Sequence, residues 1–330
     1  MVLVDRMTGM SWRRAGLAVL VAGMLLSLAL NLARQTHNSP SSEQQALPTN
    51  TWSIVAADGR SGDVGLAAAS CVPNLHADAV GALVPGTGVA AIQALWTLDN
   101  RNQVFDMLQA GESAAVIVDR MSDAEYDAEA DLRQYGIVTI HNNQLEVAAY
   151  TGTANQIWAG DQQNTQLGVT VQGNLLVGEA VVADAMRAFA RDEPGFNTLP
   201  DRLMRALEAG SVAGGDVRCN NEQVTQTAAT AFILVARGGD EPYAAENIGL
   251  TDAGTPAAPW LALSVAEPRF GPNPLIDLRR QYDRWRVEHL ANSRDEGTNL
   301  PNVPALIVAV VALVALGALW IRRRRMNTTA

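Results

Sequence analysis

The chain contains no lysine: all 24 of its basic residues are arginine. A glycine-rich phosphate loop with its lysine is therefore excluded. Histidine is nearly as scarce, at four residues (His37, His76, His141 and His289), and none has a neighbour at metal-ligand spacing, so no metal and no cofactor are expected. Cysteine is limited to Cys71 and Cys219, which leaves two readings, one disulfide or two buried thiols. Positive charge is sparse too. The formal net charge is −10, although seven of the arginines (Arg6, Arg13, Arg14, Arg322, Arg323, Arg324 and Arg325) sit beside apolar stretches at the two ends. The region between them is strongly acidic, which argues for solubility and against nucleic acid or anionic lipid as a partner.

Long apolar runs are present at both ends. Residues 15–33 carry no charge and come after Arg6, Arg13 and Arg14. That length lies between a signal peptide, with about 7 to 15 apolar residues, and a spanning helix of about 20. Ser27 and Ala29 offer a small-residue cleavage site; without cleavage the segment is a signal anchor, and either outcome exports the domain C-terminal to it. Residues 303–321 are apolar apart from Pro304 and run into Arg322 to Arg325, the pattern of a spanning helix with a cytoplasmic basic tail at 322–330. The expectation is a cell-membrane protein, single-pass or two-pass, whose folded domain lies outside the cytoplasm.

Polar, proline-containing stretches at 34–50 and 291–302 read as linkers, leaving one domain at 51–290. Within it, TWSIVAA and DVGLAAAS flank a turn-rich ADGRSG, and VGALVP and GVAAIQAL flank Gly86, so each pair reads as a hairpin. The run Gly86 to Ala91 imitates a dinucleotide fingerprint but lies between strands, where a turn is the better reading. Helical spacing marks 103–110 and 113–121. GIVTIH and QLEVAAY form a third hairpin, and LGVTVQGN a further strand. Helices come next at 179–191 and 199–210, with Thr198 as N-cap and Gly210 past the end. QTAATAFILVA and WLALSVA are strands, and 274–290 is a final amphipathic helix. This order is that of packed antiparallel sheets with helices outside, not of a parallel doubly wound sheet.

The segments TWSIVAADGRSGDVGLAAAS, DMLQAGESA, RQYGIV, YTGTANQIWAG, VQGNLLVGEAVVADAMRAFA and LPDRLMRALEAGSVAGGDVR, in this order and spacing, resemble the bacterial family called domain of unknown function 1028. The resemblance covers about 51–290 and places the chain in the N-terminal nucleophile (Ntn) hydrolase superfamily. It implies an α+β domain, a four-layer α/β/β/α sandwich of antiparallel sheets, here flanked by terminal apolar helices. In that superfamily a Thr, Ser or Cys at a processed N-terminus attacks an amide and its own α-amine is the base, so no catalytic histidine is needed.

Thr51 is the matching position, and its amine is free only if the Asn50–Thr51 bond is cut; the alternative is an ordinary first residue of a strand. Ser70 matches a family serine, as a substrate contact or a turn residue. Asn174, in the QGN segment, offers an amide to a developing oxyanion, or simply serves a tight turn. Asp216 and Arg218 come after Gly214 and Gly215, as a substrate-binding pair or an ion pair that holds the loop.

The family run is approximately GGDxRGxQSAA, whereas this chain reads GGDVRCNNEQVTQTAA, with Cys219 in place of Gly. A Cys71–Cys219 disulfide would tie that loop to the residue after Ser70. Cys71 as a nucleophile lacks a neighbouring histidine and an N-terminal position. The expected function is a membrane-anchored amidohydrolase acting on a small-molecule or peptide-like amide. The rivals are an inactive ectodomain that binds a ligand or envelope component, and a purely structural tethered domain. A homodimer is compatible with each.

Overall fold

The computed structural model describes residues 47–49, 51–75, 80–155, 157–220, 226–242 and 259–290. Strand β1 is Leu47–Thr49. Strands β2 (Thr51–Ala57) and β3 (Val64–Ser70) are buried along their whole lengths. Both of their faces are covered, which is why they read as unbroken runs of small and apolar residues rather than as an alternation. Their turn is built by Asp58, whose Oδ1 accepts from the main-chain N–H groups of Arg60 and Ser61. Strands β4 (Gly81–Val84) and β5 (Gly88–Trp96) form the second hairpin, with Gly86 at φ +74° in the turn.

Helices α1 (Leu98–Gln109) and α2 (Ala114–Met121) come after it, capped by Thr97 and Ser113. Strands β6 (Arg133–His141), β7 (Gln144–Thr151), β8 (Trp158–Asn164) and β9 (Val169–Leu176) come next. Helices α3 (Ala180–Ala190) and α4 (Leu199–Val212), strands β10 (Thr230–Ala236) and β11 (Leu261–Ala266), and helix α5 (Pro274–Leu290) complete the described elements.

The strands form a six-stranded sheet, β11-β10-β3-β2-β9-β8, and a five-stranded sheet, β1-β5-β6-β7 with β4 also beside β5. Every pair whose register is described is antiparallel. Alternate residues of β2 serve different layers, as the period-2 pleat requires. Trp52, Ile54 and Ala56 face α3, α4 and α5, packing with Phe189, Leu203, Leu207 and Tyr282. Val55 and Ala57 face the layer between the sheets, where they meet Leu66 and Phe232 of their own sheet and Val89 and Val138 of the other. On the far side of the five-stranded sheet, Ile92, Tyr135 and Ile137 pack on α1 and α2 through Leu108 and Ile117.

Three local expectations change. Helix α1 begins at Leu98, well before residue 103, because the Thr97 side chain accepts from Asn100 N. Helix α4 has the expected Thr198 cap, in a full capping box with Asp201, but continues through Gly210 to Val212. Gly210 is a contact residue rather than a terminator: a Cβ there would lie 2.6 Å from the Trp52 indole nitrogen. Strand β8, WAGDQQN, carries too little apolar alternation to be read from sequence.

The membrane expectation is also corrected. Among the described residues no helix is long and apolar enough to cross a membrane. The longest, α5, has 17 residues and carries Arg279, Arg280, Asp283 and Arg286, against the roughly 20 apolar residues that a bilayer core requires. A transmembrane helix and a cell-membrane location therefore find no support in the fold. The apolar stretches at 15–33 and 303–321, the signal segment and both linkers lie outside the described residues, apart from 47–49.

Candidate active site

Strand β2 begins at the end of the six-stranded sheet where three polar residues stand in one row. Thr51 is opposite Ser70, and Ser70 is opposite Thr230. On the other flank Trp52 is opposite Gly173, so Asn174 comes one step beyond, beside Thr51. All four are buried. The pleat that sends Val55 and Ala57 into the apolar inter-sheet core sends Thr51 and Ser53 into the same layer at its other end.

That end is polar throughout. Ser53 Oγ donates to Gln93 Oε1 (2.7 Å), and Gln93 Nε2 donates to the Thr51 carbonyl (3.2 Å) and to Gln134 Oε1 (2.7 Å). Gln134 Oε1 also accepts from Asn174 Nδ2 (2.8 Å), while Gln134 Nε2 donates to the Gly173 carbonyl (2.8 Å) and to Thr151 Oγ1 (3.0 Å). Gln172 Nε2 donates to Ser53 Oγ (2.6 Å), and Gln172 Oε1 accepts from Thr170 Oγ1 (3.1 Å). Room for Gln172 comes from Gly136 on the facing sheet, where a Cβ would run into the carboxamide.

Two main-chain carbonyls fix the direction of every amide. The carbonyls of Thr51 and Gly173 can only accept, so the Gln93 and Gln134 nitrogens must face them. Gln134 Oε1 then faces Gln93 and Asn174, and Asn174 must present its nitrogen to it. Two atoms are left over. Thr51 Oγ1 and Asn174 Oδ1 are fully buried and have no hydrogen-bond partner among the described residues. Such orphans are rare in folded proteins and call for an explanation.

The loop after α4 closes the neighbouring side. Asp216 is wholly buried. Its carboxylate accepts from Arg218 Nε (3.0 Å), Arg218 Nη2 (2.5 Å) and the main-chain N–H groups of Arg218 and Cys71 (both 3.0 Å). The bond to Cys71 N brings Asp216 to the residue after Ser70, and Leu176 at the end of β9 bridges to it. The loop can approach because Gly215 sits at φ +60°, where a Cβ would meet the Thr227 carbonyl at 2.7 Å and Trp52 at 2.9 Å. The expected Cys71–Cys219 disulfide is formed, with Cα atoms 5.6 Å apart. Thus Thr51, Ser70 and Asn174 share one sheet end, Asp216 reaches it through Cys71, and the Arg218 guanidinium is engaged with Asp216.

Sequence reasoning missed Ser53, Gln93, Gln134 and Gln172. The available signal was a polar residue at an inward position of an otherwise apolar strand, as in GVAAIQALW and VTVQGNLL. Two cavities, of about 520 Å³ beside the β2–β3 turn and about 600 Å³ between α4 and α5, lie away from Thr51. With the chain intact, its hydroxyl is enclosed.

Among known proteins, a solved structure from Silicibacter pomeroyi, the protein SPO2555 of the DUF1028 family, is similar. The two share 22% identity at a TM-score of 0.54, covering 72% of this chain and 87% of that one. At that identity the likeness speaks for the fold. No curated protein matches the chain. Residues 51–259 match the family of unknown function DUF1028, beginning at Thr51 itself. The stretch spans β2 through the Gly215–Asp216–Arg218 loop and most of the chain, which therefore belongs to the DUF1028 family.

Proposed function

We propose that this chain is an amidohydrolase of the N-terminal nucleophile type, latent until the Asn50–Thr51 bond is cut, that acts on a small amide or peptide-like substrate. The observation that carries this reading is the pair of buried, unpartnered atoms, Thr51 Oγ1 and Asn174 Oδ1, at the head of β2. The order of packing, helices on the six-stranded sheet, that sheet on the five-stranded one, and helices beyond, supports the four-layer α/β/β/α sandwich and the Ntn assignment that goes with it.

Cleavage would release an α-amine on Thr51, which serves as general base for its own hydroxyl. The amine takes the Oγ1 proton as Oγ1 attacks the substrate carbonyl, and the carbonyl oxygen becomes an oxyanion. Asn174, with one N–H held by Gln134, has its second N–H for that oxyanion, an interaction worth about 3 kcal/mol in comparable sites. Its Oδ1 is an acceptor for the new amine or for a substrate N–H. The protonated amine then gives its proton to the leaving amine, and water hydrolyses the ester on Thr51. Gln93 and Gln134 are positioning residues: one holds the Thr51 carbonyl and the other orients Asn174.

The location of the preceding strand supports latency. Strand β1 belongs to the five-stranded sheet and β2 to the six-stranded one, so Thr49 and Thr51, on either side of the bond proposed to be cut, lie in different sheets.

A second reading, an inactive domain of the same fold that binds a ligand, is favoured by the enclosed Thr51 and by the closed Asp216–Arg218 pair. Intact-mass analysis of native protein separates the two. A chain beginning at Thr51 supports the hydrolase, and hydrolysis of a panel of N-acyl amino-acid amides should then vanish in Thr51→Ala. A mature chain that retains Asn50 rules the mechanism out.

A further inference from the structure

The cavity of about 520 Å³ lies at the opposite end of β2 from Thr51, between the β2–β3 turn, the β6–β7 turn and the first turn of α4. Seven strand residues separate the two places, roughly 20 Å at a rise of about 3.3 Å per residue. The volume falls in the usual range for small-molecule sites.

Its distinguishing group is Arg202. Helix α4 carries two inward arginines, and they are used differently. Arg205 donates from Nε to Ala188 O (2.8 Å), from Nη1 to Phe196 O (2.8 Å) and from Nη2 to Arg191 O (2.7 Å). All three of its nitrogens are occupied in tying down the segment between α3 and α4. Arg202 donates only from Nε, to Phe189 O (3.0 Å), and its guanidinium lies over the Phe189 ring with Cζ 4.1 Å from the centroid. These two contacts fix the plane of the group. Among the described residues its Nη1 and Nη2 have no hydrogen-bond partner and no carboxylate at ion-pair distance.

The result is an oriented, half-buried cation in an acidic chain. Burial and the neighbouring Arg205 push its pKa down, with partial relief from Asp58, yet a guanidinium keeps its charge. Asp58 does not neutralise it: one of its oxygens holds the β2–β3 turn, and Arg60 on the same cavity wall adds a second positive charge. The side-chain amides of Asn143 and Gln166, also on the wall, make no hydrogen bond among the described residues.

We infer that this cavity is a binding site for a small carboxylate, whose two oxygens take the free Nη edge of Arg202 while Asn143 and Gln166 bind the polar remainder. A planar fork with two parallel N–H donors matches a carboxylate in a bidentate pair. The site is independent of the Thr51 chemistry and stands or falls separately from it.

The test is titration calorimetry of the full chain with acetate, glutarate and inorganic phosphate, repeated with Arg202→Gln and Gln166→Ala. Glutarate should bind more tightly than acetate. Its affinity should fall at least about tenfold in Arg202→Gln and severalfold in Gln166→Ala, with far-UV circular dichroism unchanged. Should Arg202→Gln fail to fold, the side-chain amide resonances of Gln166 and Asn143 in the unaltered chain carry the test, and they must shift on addition of glutarate. Absence of glutarate binding, equal binding by Arg202→Gln, or binding of phosphate without carboxylate would each overturn the proposal.

Discussion

The layer between the two sheets has two halves built on opposite principles. At the β2–β3 turn, Val55, Ala57, Leu66, Phe232, Val89 and Val138 meet as an apolar core. At the Thr51 end, the same strands present Ser53, Gln93, Gln134, Gln172 and Asn174, joined by hydrogen bonds of 2.6 to 3.2 Å. Burial of an aliphatic side chain contributes about 1.5–3 kcal/mol, whereas a buried hydrogen bond contributes only about 1 kcal/mol net. The polar half is thus the less stabilising way to join two sheets. What it adds is direction: every amide has one orientation, and the chain of bonds reaches Thr51 and Asn174, whose Oγ1 and Oδ1 are left without a partner among the described residues. One half of the layer holds the sheets together and the other holds the candidate site in shape.

The sharpest way to break this comparison is to truncate each half in turn. Phe232→Ala, in the apolar half, should destabilise the fold by about 3–5 kcal/mol, read by urea denaturation, with the surviving folded fraction keeping the Thr51 site. Loss of the Cys71–Cys219 bond in a Cys71→Ala/Cys219→Ala double variant should cost about 2–5 kcal/mol, because it releases a closed loop with a sequence separation of 148. Because that bond also pins the Asp216 loop, amide exchange should rise around residues 214–219 more than in the apolar half.

Gln134→Leu should cost less, about 1–3 kcal/mol, by leaving the Gln93 and Asn174 N–H groups unpaired. Its effect on hydrolysis should exceed its effect on stability, since Asn174 loses its orientation; equal effects would make the network merely structural. The smallest effect concerns acid. The network is almost entirely neutral amides and hydroxyls, so the acid sensitivity of the fold must come from elsewhere. Burial alone would raise the Asp201 pKa, but hydrogen bonds from Arg286, Thr198 and Tyr282 outweigh it and hold the carboxyl below its usual range. The folded pKa lies below the unfolded value of about 3.9. This stabilisation is therefore complete above about pH 4 and is lost as pH falls through the folded pKa. Between pH 5 and pH 3 the melting temperature should fall more in the unaltered chain than in Asp201→Asn.

Much of the fold could be read from the chain because its rules are local. Turn residues at Asp58 to Gly62 and at Gly86 announced two hairpins, and Thr198 announced the start of α4. The limits are equally physical. Gly210 reads as a helix end, yet it is small because the Trp52 indole packs on it from a strand far away in sequence. Strand β8 is polar because only its pairing with β9 makes it a strand. The Cys71–Cys219 pairing was one of two readings open to a chain with only two cysteines. Thr51, Ser70, Asn174, Asp216 and Arg218 were marked as candidates through a family resemblance. Gln93 and Gln134 were not, because an isolated glutamine in an apolar strand acquires meaning only when the facing sheet supplies its partner. The terminal apolar stretches, which hydropathy marks plainly, lie outside the described residues, among which no helix is long and apolar enough to cross a membrane.

The central claim is that Thr51 becomes an N-terminal nucleophile, and the mature N-terminus of the native protein tests it most directly. Mass spectrometry with N-terminal sequencing should find a chain that begins at Thr51, and Thr51→Ala should abolish amide hydrolysis while preserving the fold. A native chain in which Asn50 is still joined to Thr51 would contradict the account.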